Sequence, residues 1–556
     1  LKIIIGKEML KELLDKKYYF LVVMLLITFL IASFSFPSRQ SKSNAEPTGS
    51  WSSYADTEWA GSGTQSSPYL ISTPEELAGL AQQRGLDGVY FKQTADLDMS
   101  AHNWNPSWQF LGNYDGGCYA IIALNDALFE NLYNASITNI RIVNAQVYTI
   151  MGDYGVLAKS AISSTIKNCY VEADVNYICP SGPGFVEWEG FAGVIGRAND
   201  STIEQCVFDG QVNAQVYNNG GVGGIVGLAY NCRIVNCYNL GNIFASFTRY
   251  CDNGNVGGIA GYNESGNLAV IANCFNVGTV TGASYSVDYL NIGGIIGWRR
   301  HSIYNCFNTA AVSYETTSTS STEIYRGGIT GRDMVNATST YSCYYGGDCT
   351  LNYGTGGIYS GSGSNSGQTK ISNLNSTTYA KRRGWYTILS NWNYAYLWDF
   401  AETWELVTSY NDGYPYICDL FEFNVISHTN RTYRIGEVIN ISNPTRDGYI
   451  FTGWTGQNVS LLAQHGATST SLEKWEDPSV AVNSSYFMDL AAVGHTATLN
   501  SVWKEIQYNV QLNYNDGLTS NRTISDISYS TVFNVPNPTR TAYNFAGWSS
   551  SNKDDT

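Results

Sequence analysis

The stretch that decides the fold is VGGIVG (residues 222–227) followed by IVNCYNLGNI (residues 234–243). It returns as VGGIAG (256–261) with IANCFNVGTV (271–280), and as IGGIIG (292–297) with IYNCFNTAAV (303–312). Looser copies flank these. On one side stand FAGVIG (191–196) with IEQCVFDGQV (203–212), and YGVLA (154–158) with IKNCYVEADV (166–175). On the other, RGGITG (326–331) leads to YSCYYGG (341–347). The repeat cysteines Cys169, Cys206, Cys237, Cys274, Cys306 and Cys343 are spaced by 37, 31, 37, 32 and 37 residues. Such a period marks stacked units that cannot bury their apolar faces alone. The short β-branched and aromatic runs, cut by Gly and Asn, suit strands and not helices. A propeller blade needs about 40 to 45 residues. Two or three short strands per unit, wound in parallel coils, fit better, and the expected fold is mostly β: a parallel β-helix solenoid.

In-register coils put the six cysteines in one column, at roughly 4.8 Å per coil. Asn168, Gln205, Asn236, Asn273 and Asn305 form a second column, expected on the opposite side of the strand because side chains alternate. Tyr170, Tyr238, Phe275, Phe307 and Tyr344 make a third. Amide and aromatic ladders of this kind stabilise stacked strands. A disulfide needs Cβ atoms roughly 3.5 to 4.5 Å apart, closer than in-register neighbours lie. The ladder cysteines therefore read as small buried hydrophobes. Cys118, Cys179, Cys232, Cys251, Cys349 and Cys418 lie off the ladder, and Cys343 with Cys349 is one local option for a pair. With no CxxC pair, a structural zinc site is not expected.

At 556 residues the chain exceeds one ordinary core, so a repeat array with further modules is expected. The net charge of −15 argues against nucleic acid, which requires basic surface, and against docking on anionic lipid. Lys16 and Lys17 precede residues 18–36, which carry no charge. That is the layout of an export signal, with Ser43-Asn44-Ala45 fitting a small-x-small cleavage site. The run also approaches the length of a membrane span, so residues 1–46 read as a signal peptide or, uncleaved, as an anchor and the chain's one contact with a membrane.

Residues 47–89 read as spacer and N-terminal cap. Thr73 at the N-cap, Pro74 at the first helical position and Glu76 completing a capping box predict a helix over 74–83, placed to cover the first coil. The β-helix is expected over 90–420. Its opening coils hold YFKQTADLDMS (90–100), NYDGGCYAIIAL (113–124) and ITNIRIVNAQV (137–147), with Asp115-Gly116-Gly117 as a tight turn. Residues 353–376 are Gly- and Ser-rich and read as a loop. Trp385, Trp392, Trp398 and Trp404 then read as an aromatic cap closing the last coil in preference to a carbohydrate-stacking platform.

The opening GSGTQSSPYLISTPEELAGLA (61–81), FKQTADLDMS, YDGGCYAI and the repeated GGI-x-G with I-x-N-C resemble the GLUG-motif regions of bacterial surface proteins. Ile stands here where the motif name implies Leu. The resemblance spans roughly residues 61–420 and implies a β-helical surface region. Similar regions occur in large secreted proteins, some immunoglobulin A peptidases among them, and imply no activity by themselves. NPTRDGYIFTGW (443–454) recurs as NPTRTAYNFAGW (537–548), with RTYRIGEVINI (431–441) and SYSTVFNV (528–535) as the preceding strand-like runs. This resembles the internalin B-type or Listeria–Bacteroides repeat, a small β-grasp-like module of bacterial surface proteins. One copy is expected over 421–504, with an insertion near 461–484, and part of a second over 505–556. A chain stopping inside a module reads as a fragment of a longer protein.

No HExxH, GxSxG or GxxxxGK[ST] pattern occurs, and His102, His301, His428, His465 and His495 are scattered. The glycine doublets recur too regularly to be dinucleotide loops, and no long helix follows them. No catalytic, cofactor-binding or metal site is therefore assigned, and no cofactor. The reading is an exported bacterial cell-surface protein, non-catalytic in this region, acting as an adhesin-like or structural display rod. The partners it leaves open are a host or environmental glycan or a protein. Two alternatives stay open: a carbohydrate-active β-helix enzyme, or the non-catalytic part of a larger secreted peptidase. The first needs acidic residues clustered with Arg or Lys in one groove. Asp209, Asp252, Glu264, Asp288, Arg299, Arg300, Glu315, Glu323, Arg326 and Asp333 supply those residue types, though isolated turn residues are more often solvated punctuation.

Overall fold

The computed structural model describes residues 48–556 apart from 107–108, 150–151, 179–187, 249–251, 265, 286, 317–322, 334–339, 347–367, 401–402, 407–411, 413, 418–421, 427–430, 435–443, 456–495, 499, 516–518, 533 and 550–556. The export segment and the 461–484 insertion lie outside the described residues, as do Cys179, Cys251, Cys349 and Cys418.

A parallel β-helix runs from Tyr69 to Lys370. Its strands form three stacks: one sheet of 21 strands, one of seven and one of six. A representative coil has five short strands, Gly220–Gly223, Val226–Tyr230, Arg233–Val235, Tyr238–Asn239 and Asn242–Phe247, more than the two or three expected. Each pairs in parallel with its counterpart one coil away, as Val222 with Val256, Ile234 with Ile271 and Tyr238 with Phe275. The Asp115-Gly116-Gly117 turn is a corner within a coil and not a hairpin. The strands flanking it, Asn113–Asp115 and Ala120–Ile122, pair onward with Ser136–Thr138 and Arg141–Thr149.

The glycine motif is explained by close approach. A Cβ on Gly223, Gly257, Gly293 or Gly327 would lie 2.0–2.3 Å from the carbonyl oxygen three residues on. One on Gly227 would lie 2.3 Å from the Phe191 nitrogen of the preceding coil. The isoleucines of the motif, Ile225, Ile259, Ile295 and Ile329, fill the interior and are wholly buried.

The cysteine column is present and wholly buried, with Cys169 directly opposite Cys206. The eight described cysteines are thiols and not disulfides. The thiols donate to carbonyls within their own strand and the previous coil, as Cys274 does to Ala272 O at 3.2 Å and Ile234 O at 3.7 Å. Burial pushes the thiols of Cys169, Cys237 and Cys306 well up, and Cys232 up to about 12. Neighbouring thiols lie beside the Cys206 and Cys274 sulfurs, but each S–H holds a single proton and donates it to a carbonyl, so burial, the largest influence on both, opposes a thiolate there too.

The amide column differs from expectation. None of Asn168, Gln205, Asn236, Asn273 and Asn305 has extended backbone, although Asn168 and Gln205 lie within the strands Thr165–Ile178 and Thr202–Val216. Each adopts a left-handed conformation, φ between 52° and 56°, as do Asn139 before them and Ser342 after. Short polar side chains tolerate that region best, which places Asn where the coil bends ahead of each cysteine. The side chains still bond between coils, Asn168 Nδ2 to Asn139 Oδ1 at 2.7 Å and Asn273 Nδ2 to Asn236 Oδ1 at 3.2 Å. A second amide ladder lies deeper. Asn239 Nδ2 donates to Asn276 Oδ1 and Asn276 Nδ2 to Asn308 Oδ1, both at 2.7 Å, and all three residues are wholly buried. Gly224, Gly258 and Gly294 make room for them, since a Cβ there would sit 2.3–2.6 Å from the amide groups.

The cap helix spans Pro74–Gln82 with its capping box formed: Glu76 N donates to Thr73 Oγ1 at 3.2 Å, and Thr73 N to Glu76 Oε2 at 3.1 Å. It buries Leu77 and Leu80 against the first coils.

The tryptophan segment reaches further than expected. It packs on the last aromatic rung, Tyr344, but does not stop there: it runs back along the flank of the stack, over the aromatic column. Trp385 and Trp392 meet Tyr344, each at 5.3 Å, Trp398 meets Phe307 at 5.8 Å, and Trp404 meets Tyr238 at 6.0 Å. The bend amides pin it: Asn305 Nδ2 donates to Asn393 O at 3.1 Å and Asn273 Nδ2 to Leu397 O at 3.0 Å. The column beneath stacks in parallel, Phe275 on Phe307 at 4.8 Å and 1°. Its rings face outward on the flank opposite the cysteines, so covering them requires a lateral strap. All four tryptophans are buried, which removes them as a sugar platform.

Beyond the strap, Glu422–Ile426 pairs antiparallel with Arg431–Arg434 and parallel with Thr496–Thr498, the mixed pairing of a β-grasp-like sheet. Tyr449–Thr455 pairs antiparallel with Asn500–Glu505. In the second module the strand preceding NPTR is Arg522–Ser528, paired with Gln507–Leu512, and not the run 528–535. A turn at Tyr529–Ser530, held by Ser530 N donating to Glu505 Oε1 at 2.6 Å, ends it, and Val532 is 95% exposed.

Candidate functional site

The residue after the last motif glycine points outward, and it varies from coil to coil. In register these positions are Arg197, Leu228, Tyr262, Trp298 and Arg332. Their side chains gather beside the six-stranded sheet. Trp188 lies 5.0 Å from Tyr262 and 5.8 Å from Trp298, and Tyr230 lies 5.9 Å from Tyr262. Tyr262 and Trp298 are buried beneath this cover, whereas Trp188, Tyr230 and Tyr289 stay half-buried.

Charges line the ridge. Arg197 Nε meets Asp153 Oδ2 at 2.6 Å and its guanidinium also donates to Trp188 O. Arg300 Nη1 meets Glu264 Oε1 at 2.6 Å and lies over Trp298 at 5.3 Å. The Tyr262 hydroxyl donates to Glu264, and burial followed by that bond pushes it up. Arg332 is enclosed by three rings, Tyr289 at 4.5 Å, Trp298 at 5.1 Å and Tyr325 at 5.2 Å, and its Nη1 donates to Asn253 Oδ1 at 3.3 Å.

Of the ten acidic and basic residues singled out in the sequence, the structure brings Glu264 and Arg300 together here. Arg299 points the other way, into the coil interior, and is 1% exposed beside Asn263. Asp209 accepts from the Tyr170 hydroxyl at 3.4 Å, and Glu323 from Tyr325 at 2.6 Å. Asp252, Asp288 and Glu315 are exposed, and Arg326 lies over Tyr314 at 5.3 Å. The Asp333 side chain lies outside the described residues. No group of His, Cys, Asp and Glu suited to a metal ion occurs among the described residues, and no described helix is long and apolar enough to cross a membrane. The motif itself held the signal for Arg197, Tyr262, Trp298 and Arg332, since each follows a fixed glycine, but only coil stacking brings Trp188 onto Trp298, 110 positions later.

The fold and ridge define a β-helical repeat protein with appended β modules. The family model of the Listeria-Bacteroides repeat domain matches residues 424–469 and 508–556. Repeats of this kind are typical of bacterial cell-surface proteins. No curated protein matches the chain. Among solved structures, a "putative immunoglobulin A1 protease" from Bacteroides ovatus is similar at 20% identity and a TM-score of 0.36, covering 64% of this chain and 94% of its own.

Proposed function

We propose that this chain is an exported cell-surface protein whose β-helix is an adhesin-like display rod, non-catalytic in this region, with the Listeria–Bacteroides repeats strung behind it. The observation that carries the reading is the succession in one chain of a parallel β-helix and two surface-type repeat modules. The chemistry agrees: on the outer ridge the acidic side chains Asp153 and Glu264 are each tied to an arginine, an arrangement that neutralises them instead of leaving a free acid and base. The N-terminal segment with Lys16 and Lys17 supplies the export signal. Antibody labelling and protease shaving of intact producing cells test this directly. Surface exposure or release into the medium supports it, and retention in the cytoplasmic fraction overturns it. Release of unsaturated or reducing sugar ends from a polysaccharide panel by purified protein would instead favour the carbohydrate-active alternative.

A further inference from the structure

We infer that the ridge at Arg332 is a binding site for a carboxylate-bearing sugar, a uronic or sialic acid residue of an extracellular glycan. Three observations lead there. The arginines on this ridge are treated differently: Arg197 is paired with Asp153 and Arg300 with Glu264, while Arg332 has no carboxylate within ion-pair distance among the described residues. Second, its plane is held by three rings and one amide oxygen, with the aromatic faces of Tyr289, Trp298 and Tyr325 at 4.5–5.2 Å. A stacked guanidinium keeps its edge donors in a fixed fork that matches the two oxygens of a carboxylate, and among the described residues one hydrogen bond, to Asn253, occupies it. Third, Trp298 is 6% exposed, and its indole Nε1–H has no acceptor among the described residues. A buried donor left unpaired is costly, so an acceptor that reaches the edge of this cluster finds a partner waiting.

The aromatic surroundings select a sugar over an acidic peptide. Tyr289, half-buried beside Arg332, and Trp188 and Tyr230 further along the ridge offer ring surface next to the cation. The C–H faces of a pyranose pack on such surface while its carboxylate is held at the guanidinium, whereas an extended acidic chain would gain the charge contact alone. The identification of the glycan class rests on the display reading, because an exported rod meets extracellular glycans. The binding itself does not.

Calorimetric titration of the full chain with trigalacturonate and with sialyllactose tests the site, with the methyl ester of trigalacturonate, maltotriose and a triglutamate peptide as comparisons. Binding of at least one acidic sugar, absent for the ester and for maltotriose, is expected. Arg332→Gln should weaken it about tenfold or more, the loss of a charge-assisted hydrogen bond, and Arg522→Gln, on an exposed strand of the second repeat, should leave it unchanged. Where Arg332→Gln lowers the melting temperature, Tyr289→Ala decides instead, weakening the sugar while keeping the charge. Equal affinity in the substituted chains, no heat with either sugar at millimolar concentration, or triglutamate binding as tightly as the sugars would each overturn the inference. Surface labelling of cells is independent of this result, so failure to bind with the chain displayed removes only the glycan site, and binding by a chain retained inside the cell removes only the display reading.

Discussion

Replacing Asn276 by alanine removes the middle rung of the buried amide ladder. The side chain donates to Asn308 Oδ1 and to Gly278 O, each at 2.7 Å, and accepts from Asn239 Nδ2 at 2.7 Å. The residue is wholly buried, so no water replaces these partners. At roughly 1 kcal/mol net per hydrogen bond the loss is about 3 kcal/mol, rising where a partner is left unsatisfied. Asn239 and Asn308 each keep a second bond, to Gly241 O at 2.8 Å and Ala310 O at 3.0 Å, which limits the loss. Asn176 provides the comparison. It also takes part in an inter-coil amide bond, from Asn213 at 3.3 Å, but is exposed, so Asn176→Ala should cost within about 0.5 kcal/mol. Urea unfolding followed by far-ultraviolet circular dichroism measures both. Asn276→Asp should be worse than Asn276→Ala at neutral pH, because a carboxylate there faces two carbonyl oxygens, and should recover as acid protonates it. Equal midpoints for Asn276→Ala and Asn176→Ala would refute the claim that the buried ladder holds the coils together.

Further substitutions probe other parts of the account. Gly258→Ala would place a Cβ 2.3 Å from Gly294 O and 2.4 Å from Asn276 Cγ, and overpacking of that kind costs about 1–3 kcal/mol or more. Gly85→Ala, with φ +72° and nothing within 4 Å, should pay only the left-handed backbone cost of about 1–2 kcal/mol. The cysteine column predicts a pH dependence. Cys169, Cys237 and Cys306 have raised folded values, so their neutral form favours the folded state fully below the ordinary thiol value of about 8.5, and stability falls as pH rises beyond it. The urea midpoint should drop between about pH 8 and 10, and native-state alkylation at neutral pH should leave these three thiols unmodified. Trp404 is 1% exposed, and Trp404→Ala should cost about 3–5 kcal/mol and open the strap to limited proteolysis near residues 380–417 before the coils are cut.

Much of this architecture is legible in the amino-acid order because stacking repeats the same demand at each coil. The cysteine and aromatic columns fall out of the 31- to 37-residue period, and Thr73 with Glu76 announces the cap helix. The bend at Asn236 and its equivalents is not legible in the same way. An Asn ahead of Cys looks like ordinary polar–apolar alternation, and its left-handed backbone appears only in three dimensions. Asn239, Asn276 and Asn308 are hidden for a related reason. A polar residue in a strand pattern suggests solvent, and only an identical residue one coil away lets it be buried with its bonds satisfied. The strap position follows from which flank the aromatic column faces, a long-range property. The ridge is the least legible part, since Arg332 reaches Asn253 across two coils and no local pattern links them.

The central claim is the register of the coils, and one distance tests it most directly. Asn176, Asn213, Phe244, Thr281 and Ser313 are successive partners along one row. Spin labels at Asn176→Cys and Ser313→Cys, corrected with the singly substituted chains, should therefore lie four steps of roughly 4.8 Å apart, about 19 Å before the label arms broaden the distribution. A narrow population centred near that value is the predicted result in pulsed electron paramagnetic resonance. A population centred beyond about 35 Å would mean that the repeats do not stack at strand spacing, and would contradict the account.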